Sequence, residues 1–123
     1  MGEYVLALKA SDLADGAMRK VSLRGHDLVV TNVGGRFYAA DDRCPHLGAS
    51  LSRGRLEGTT VVCPSHHSRF DLSDGRVLAW TDWTGWRARL AQRLRSPRPL
   101  VTHPVKVESG TVWIDLPSPV KTD

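Results

Sequence analysis

Two short clusters of metal-binding side chains constrain this 123-residue chain more than any other feature. Cys44-Pro45-His46 and Cys63-Pro64-Ser65-His66 each offer one thiol and one imidazole within a single turn of backbone. Sixteen residues separate His46 from Cys63, and residues 44–71 hold both cysteines and three of the five histidines. Two loops of that kind, brought face to face, make a four-ligand metal site. Two Cys and two His also satisfy tetrahedral zinc, so a zinc-stabilised module is one reading. Zinc fingers usually keep the cysteines in one pair and the histidines in another, whereas each loop here mixes the two types.

The pattern C-x-H, sixteen residues, C-x-x-H resembles the Rieske iron-sulfur family, and Gly48, Phe70-Asp71 and Gly75 agree with it. In that family two cysteines hold one iron of a [2Fe-2S] cluster and two histidines hold the other. Carried over residue by residue, the resemblance implies Cys44 and Cys63 on the inner iron, His46 and His66 on the outer, and one cluster per chain. Imidazole adds no negative charge where a thiolate would, so such clusters accept an electron readily, at about −150 to +300 mV. The resemblance covers most of the chain and weakens at residues 80–100.

Two positions depart from the family pattern. Glycine usually follows the second ligand histidine, and here His67 stands there. His66 keeps the family spacing, so His67 reads as a loop residue with its side chain near the cluster surface. High-potential members of the family carry a serine and a tyrosine after this loop, both hydrogen-bonding to sulfur. Ser68 fills the serine position, but Phe70 replaces the tyrosine, so one donor is absent.

A chain of this length with 41% hydrophobic residues forms one domain with a modest core, with no room for a second catalytic domain. The N-terminal residues lack a basic stretch followed by an apolar one, and no window reaches the ~18 apolar residues of a membrane span. The expectation is a cytoplasmic protein bound to no membrane. Both cysteines are committed to the metal site, which leaves none for a disulfide.

The net charge of +4 is concentrated. Residues 81–100 carry Arg87, Arg89, Arg93, Arg95 and Arg98 against Asp82, which is +4, and the rest of the chain has twelve basic and twelve acidic residues. Trp83, Trp86, Leu90 and Leu94 in that stretch follow helical spacing, with the arginines mostly on other faces. The bland reading is an amphipathic lid on the β core. The sharper one makes Trp83, Trp86, Arg87, Arg89, Arg93 and Arg95 a docking surface. Arginines with aromatic residues can also bind nucleic acid, but this patch is short, and no nucleic-acid partner is expected.

Elsewhere the signals are those of strands and turns. Residues 4–8 read as a buried first strand, 11–16 as a polar turn or a single helical turn, and 18–24 as a strand. Gly25-His26-Asp27 is expected to turn into a β-branched strand over 27–32, and Gly34-Gly35 to turn into 36–40. His26 is assigned no function. Gly54, Gly58 and Thr59-Thr60 punctuate a small hairpin that delivers Cys63 from a strand end. Leu47 and Leu51 read as shields for the cluster. Residues 70–75 form a strand and turn, and Val77-Leu78 head back toward the base. A terminal hairpin runs over 103–108 and 111–116, and 117–123 are a frayed tail.

These readings combine into an all-β fold: a Rieske-like antiparallel β-sandwich base with an inserted cluster-binding subdomain and one extra helical segment near residues 83–95. The single domain would divide into a base of 1–41 and 72–118, a cluster-binding subdomain of 42–71, and a Trp/Arg-rich insertion at 80–100. The resemblance implies a one-electron carrier, similar to the ferredoxin components of ring-hydroxylating dioxygenase systems. Such a carrier takes electrons from a flavin-dependent reductase and passes them to a terminal oxygenase or related oxidoreductase. The chain lacks the 2-His-1-carboxylate iron site of oxygen chemistry, so it is not itself expected to be an enzyme. An electron-transfer or regulatory subunit fixed in a larger oxidoreductase is the other alternative.

Overall fold

The computed structural model describes residues 3–44, 50–64, 68–79 and 99–116. The helical expectation for 83–95, with Trp83, Trp86 and the four arginines of the docking reading, lies outside these residues. So do His46, His66 and His67, Leu47, and the tail 117–123.

Eleven strands make three antiparallel sheets among the described residues. β1 (Glu3–Lys9), β11 (Thr111–Leu116) and β10 (Val105–Glu108) form a terminal sheet with β11 in the middle. β2 (Met18–Leu23), β3 (His26–Val33), β4 (Arg36–Asp41) and the short β9 (Thr102–His103) form a second, in that order. β5 (Arg55–Glu57), β6 (Thr60–Val62), β7 (Arg69–Asp71) and β8 (Val77–Ala79) form a third.

The second sheet is covered on both faces, and β3 shows it residue by residue. Leu28 and Val30 join one core cluster with Leu8, Val112, Ile114 and Leu116 of the terminal sheet. Val29, between them, joins another cluster with Val61, Phe70, Leu72 and both cysteines. Ala39 and Ala40 of β4 split the same way. Successive strand side chains point to opposite faces, so a central strand covered twice needs a continuous apolar run. Burying each Val, Leu or Phe stabilises by roughly 1.5–3 kcal/mol before chain entropy is subtracted.

Tight turns set the registers. Arg24-Gly25, Gly34-Gly35 and Ser109-Gly110 all have positive φ at both residues, the two-residue connection whose twist matches that of the flanking strands. The first turn therefore falls one residue earlier than the sequence suggests, and His26 opens β3 opposite Leu23. Arg24 takes the left-handed conformation at φ 53° because the hairpin geometry outweighs the modest cost of a Cβ there.

Two further segments differ from expectation. Val77 pairs with Phe70, so β8 completes the third sheet before the chain leaves it. His103 pairs with Ala39 of β4, separate from the terminal hairpin. Pro104, with no N–H to donate, divides β9 from β10.

Candidate metal centre

Each cysteine sits where a strand gives way to a loop, and each loop is closed at its base. β4 ends at Asp41, the Asp42 N–H donates to the Asp27 carbonyl at 2.9 Å, and Cys44 follows two residues later. Across this first loop, Arg43 bridges to Ser50, and the Leu51 N–H donates to the Asp42 carbonyl at 2.7 Å. The Asp42 carboxylate adds a second set of ties: Oδ1 accepts the Ser52 N–H at 2.6 Å, and Oδ2 accepts the hydroxyls of Ser50 and, at 3.2 Å, Ser52.

The second loop is the end of a hairpin. β6 and β7 pair Val61 with Phe70 and Val62 with Arg69, and the Cys63 N–H then donates to the Ser68 carbonyl at 2.8 Å. The two loop systems meet through Gly54. A Cβ built there would lie 1.9 Å from the Val62 carbonyl oxygen, so only glycine allows the chain leaving the first loop to pass this close to the strand entering the second.

Cys44 and Cys63 are each 1% exposed and belong to one apolar cluster with Leu51, Val61, Phe70 and Leu72. The placement of Leu51 agrees with a shielding role. Ser68 and Phe70 are also fully buried. Two thiols in apolar surroundings become thiolates only where a cation shares their burial, because an uncompensated buried charge is costly. The donor set therefore fits a metal group entering at this cluster. Of the four sequence-predicted ligands, the described residues bring together the two cysteines.

The surface beside the site is an ion-pair lattice. Glu57 accepts from Arg55 Nε at 2.6 Å and Arg69 Nη1 at 2.9 Å, and Arg69 followed by Arg55 holds its carboxyl below the ordinary range. Asp71 is likewise held low, by the Ser73 hydroxyl first, then the Ser73 N–H, with Arg76 Nη2 at 3.1 Å adding to it. Behind the first loop, His103 Nε2 lies 2.8 Å from Asp41 Oδ1 and joins β9 to the end of β4. Sequence reasoning assigned no role to Asp42 or to the Asp41–His103 pair. An aspartate before a loop ordinarily reads as exposed, and no local pattern announces its burial.

An all-β fold that buries two cysteines at the bases of two closed loops fits a metal-thiolate protein. The Rieske [2Fe-2S] domain model matches residues 3–87. The ferredoxin subunit of 3-phenylpropionate/cinnamic acid dioxygenase from Escherichia coli K12 is 37% identical over 114 residues, covering 92% of this chain and 93% of that protein. The ferredoxin component of the naphthalene 1,2-dioxygenase system of Pseudomonas putida is 34% identical over 114 residues, covering 93% and 96%. A chain in the complex of reduced oxygenase and oxidized ferredoxin in carbazole 1,9a-dioxygenase superposes with a TM-score of 0.74 at 31% identity, covering 91% of this chain and 92% of that one.

The chain belongs to the Rieske [2Fe-2S] family. Its cofactor is a Rieske-type [2Fe-2S] cluster, and it is an electron carrier and not an enzyme in its own right. This decides against the zinc-stabilised module. Among the described residues no helix is long and apolar enough to cross a membrane.

Proposed function

We propose that Cys44, His46, Cys63 and His66 hold the cluster, and that the chain shuttles single electrons from a flavin-dependent reductase to the oxygenase of a ring-hydroxylating system. The burial of both cysteines in one cluster, each beside a loop carrying a histidine of the family spacing, is the observation that carries the ligand reading. When bound, the cluster supplies a one-electron couple whose potential is set by ligand charge and hydrogen bonding. The chain's own part is to exclude water and pin both loop bases: Leu51, Phe70 and Leu72 pack about the thiols while Asp42 and Ser68 hold the loops closed.

Relatives named as ferredoxin components of dioxygenase systems, and a similar chain in an oxygenase–ferredoxin complex, support the partner assignment. The same kinship supports placing the protein in the cytoplasm with its reductase. We also propose the division into a base of 1–41 and 72–118, a cluster-binding subdomain of 42–71 and an insertion at 80–100, with β5, β6 and β7 of the third sheet inside 42–71. In that division β8 lends the subdomain sheet its last strand from the base segment.

Protein purified without oxygen is expected to be red-brown, with two irons and two acid-labile sulfides per chain and the EPR signal of a mixed-ligand cluster on reduction. Cys44→Ser, Cys63→Ser, His46→Ala and His66→Ala should each lose the cluster, whereas His67→Ala should keep it. A cluster that survives His66→Ala but not His67→Ala would overturn the ligand assignment. A holo-protein that no flavin reductase can reduce would overturn the shuttle.

A further inference from the structure

We infer that Asp42 is a positioning residue for the cluster, its buried carboxylate closing the first ligand loop and lowering the reduction potential of the cluster. The inference rests on the proposed ligand set and deepens it at one residue.

Asp42 is 3% exposed, among the few polar side chains buried to that extent in the described residues. Its two carboxylate oxygens take donors from Ser50 Oγ, Ser52 Oγ and the Ser52 N–H, eight to ten residues further along the chain. Its backbone is committed as well, donating to Asp27 and accepting from Leu51. One residue thus ties the end of β4, the start of β3 and the far side of the loop that contains Cys44. A buried carboxylate held by so many donors is costly to lose, because its partners then forfeit hydrogen bonds to a charged group.

Placement supplies the electrostatic half of the argument. Two residues of chain span at most about 7 Å, so the Asp42 Cα lies within that reach of the Cys44 Cα. Lys20 and Arg43 line a recess that Asp42, Asp27 and Ser50 share, but no ion pair to Asp42 occurs among the described residues. Among the described residues, the donors that reach the carboxylate are those of Ser50 and Ser52. Reduction adds an electron to the cluster, which a nearby buried anion opposes, and burial leaves that opposition less screened than at a surface. The serine donors draw off part of the negative charge and soften the effect.

The test is protein-film voltammetry of holo-protein, paired with the rate at which an iron chelator strips the cluster. Asp42→Asn keeps the shape but removes the charge, so the potential should rise. Iron release should quicken about tenfold, equivalent to about 1.4 kcal/mol and just below the range for a hydrogen bond to a charged group. Ser50→Ala keeps the charge and removes a donor, so the potential should fall. An Asp42→Asn protein that retains its cluster at the wild-type potential overturns the inference, whatever its release rate. If that variant accumulates without iron, Ser50→Ala decides, and an unchanged or raised potential overturns it. A wild-type protein that purifies without iron defeats the ligand reading instead, which separates the two failures.

Discussion

The Cys63 amide donates to the Ser68 carbonyl at 2.8 Å, one rung beyond the Val62–Arg69 pair of β6 and β7. The base of the second ligand loop therefore continues a strand ladder, which ties Cys63 to the sheet behind it. The first loop lacks that continuation from a long hairpin. It has the Arg43–Ser50 bridge and the Leu51 amide bonded to the Asp42 carbonyl, and the Asp42 carboxylate adds its own ties to Ser50 and Ser52.

Close approach at two glycines yields a graded stability series. Gly75 has φ +80°, and a Cβ there would lie 2.1 Å from the Leu100 carbonyl oxygen, while at Gly34, φ +61°, nothing lies within 4 Å. Gly34→Ala should cost about 1 kcal/mol, the penalty for a side chain in the left-handed region. Gly75→Ala should cost at least twice that, and Gly54→Ala should also shed the cluster because the clash falls on Val62 beside Cys63. Melting temperatures and iron content of the three variants check the order.

Phe70 is fully buried in the cluster that contains both cysteines, and Ser68 is buried beside the second loop. Phe70→Tyr should raise the reduction potential if the new hydroxyl reaches sulfur, and Ser68→Ala should lower it, since hydrogen bonds to sulfur favour the reduced state. Voltammetry showing no rise in a Phe70→Tyr protein with an intact spectrum would reject that geometry.

Asp71 carries a pH signature. Its carboxyl is held below the usual range by Ser73 and Arg76. A depressed carboxylate contributes stability that is present above its unfolded pKa, about 3.9, and is lost as pH falls through the lower folded value. Asp71→Asn should therefore melt below wild type at about pH 7. The gap should persist to about pH 5 and close as the pH drops below 3.9. A gap independent of pH would assign the effect to turn geometry alone.

Charge reversal at Arg87, Arg89, Arg93 and Arg95 tests the docking expectation for the segment that holds the whole charge excess. If it steers an acidic partner, stopped-flow reduction by the cognate reductase should slow and lose its salt dependence as the Debye length shrinks from ~30 Å at 0.01 M to ~8 Å at 0.15 M, with the spectrum unchanged. Trp83→Ala or Trp86→Ala should mainly lower the melting temperature if the rings are core, and mainly weaken partner binding if they are interface.

The sequence by itself determined the local features. The turn pairs Gly34-Gly35 and Ser109-Gly110 marked their hairpins because positive φ is a property of the turn alone. The apolar run of β3 and the cysteine–histidine spacing were equally legible, since burial and ligation choose residue types directly. What the tertiary structure decided is which distant segments meet. Val77 joining Phe70, His103 joining Ala39, and the two faces of β3 serving different cores depend on pairings between strands that no local period encodes. Asp42 is the clearest case: in sequence it is a polar residue before a loop, and it became a buried latch because Ser50 and Ser52 return to it across that loop. A carboxylate's burial is settled by the donors that folding brings to it, and those donors lie too far along the chain for any window of neighbours to reveal.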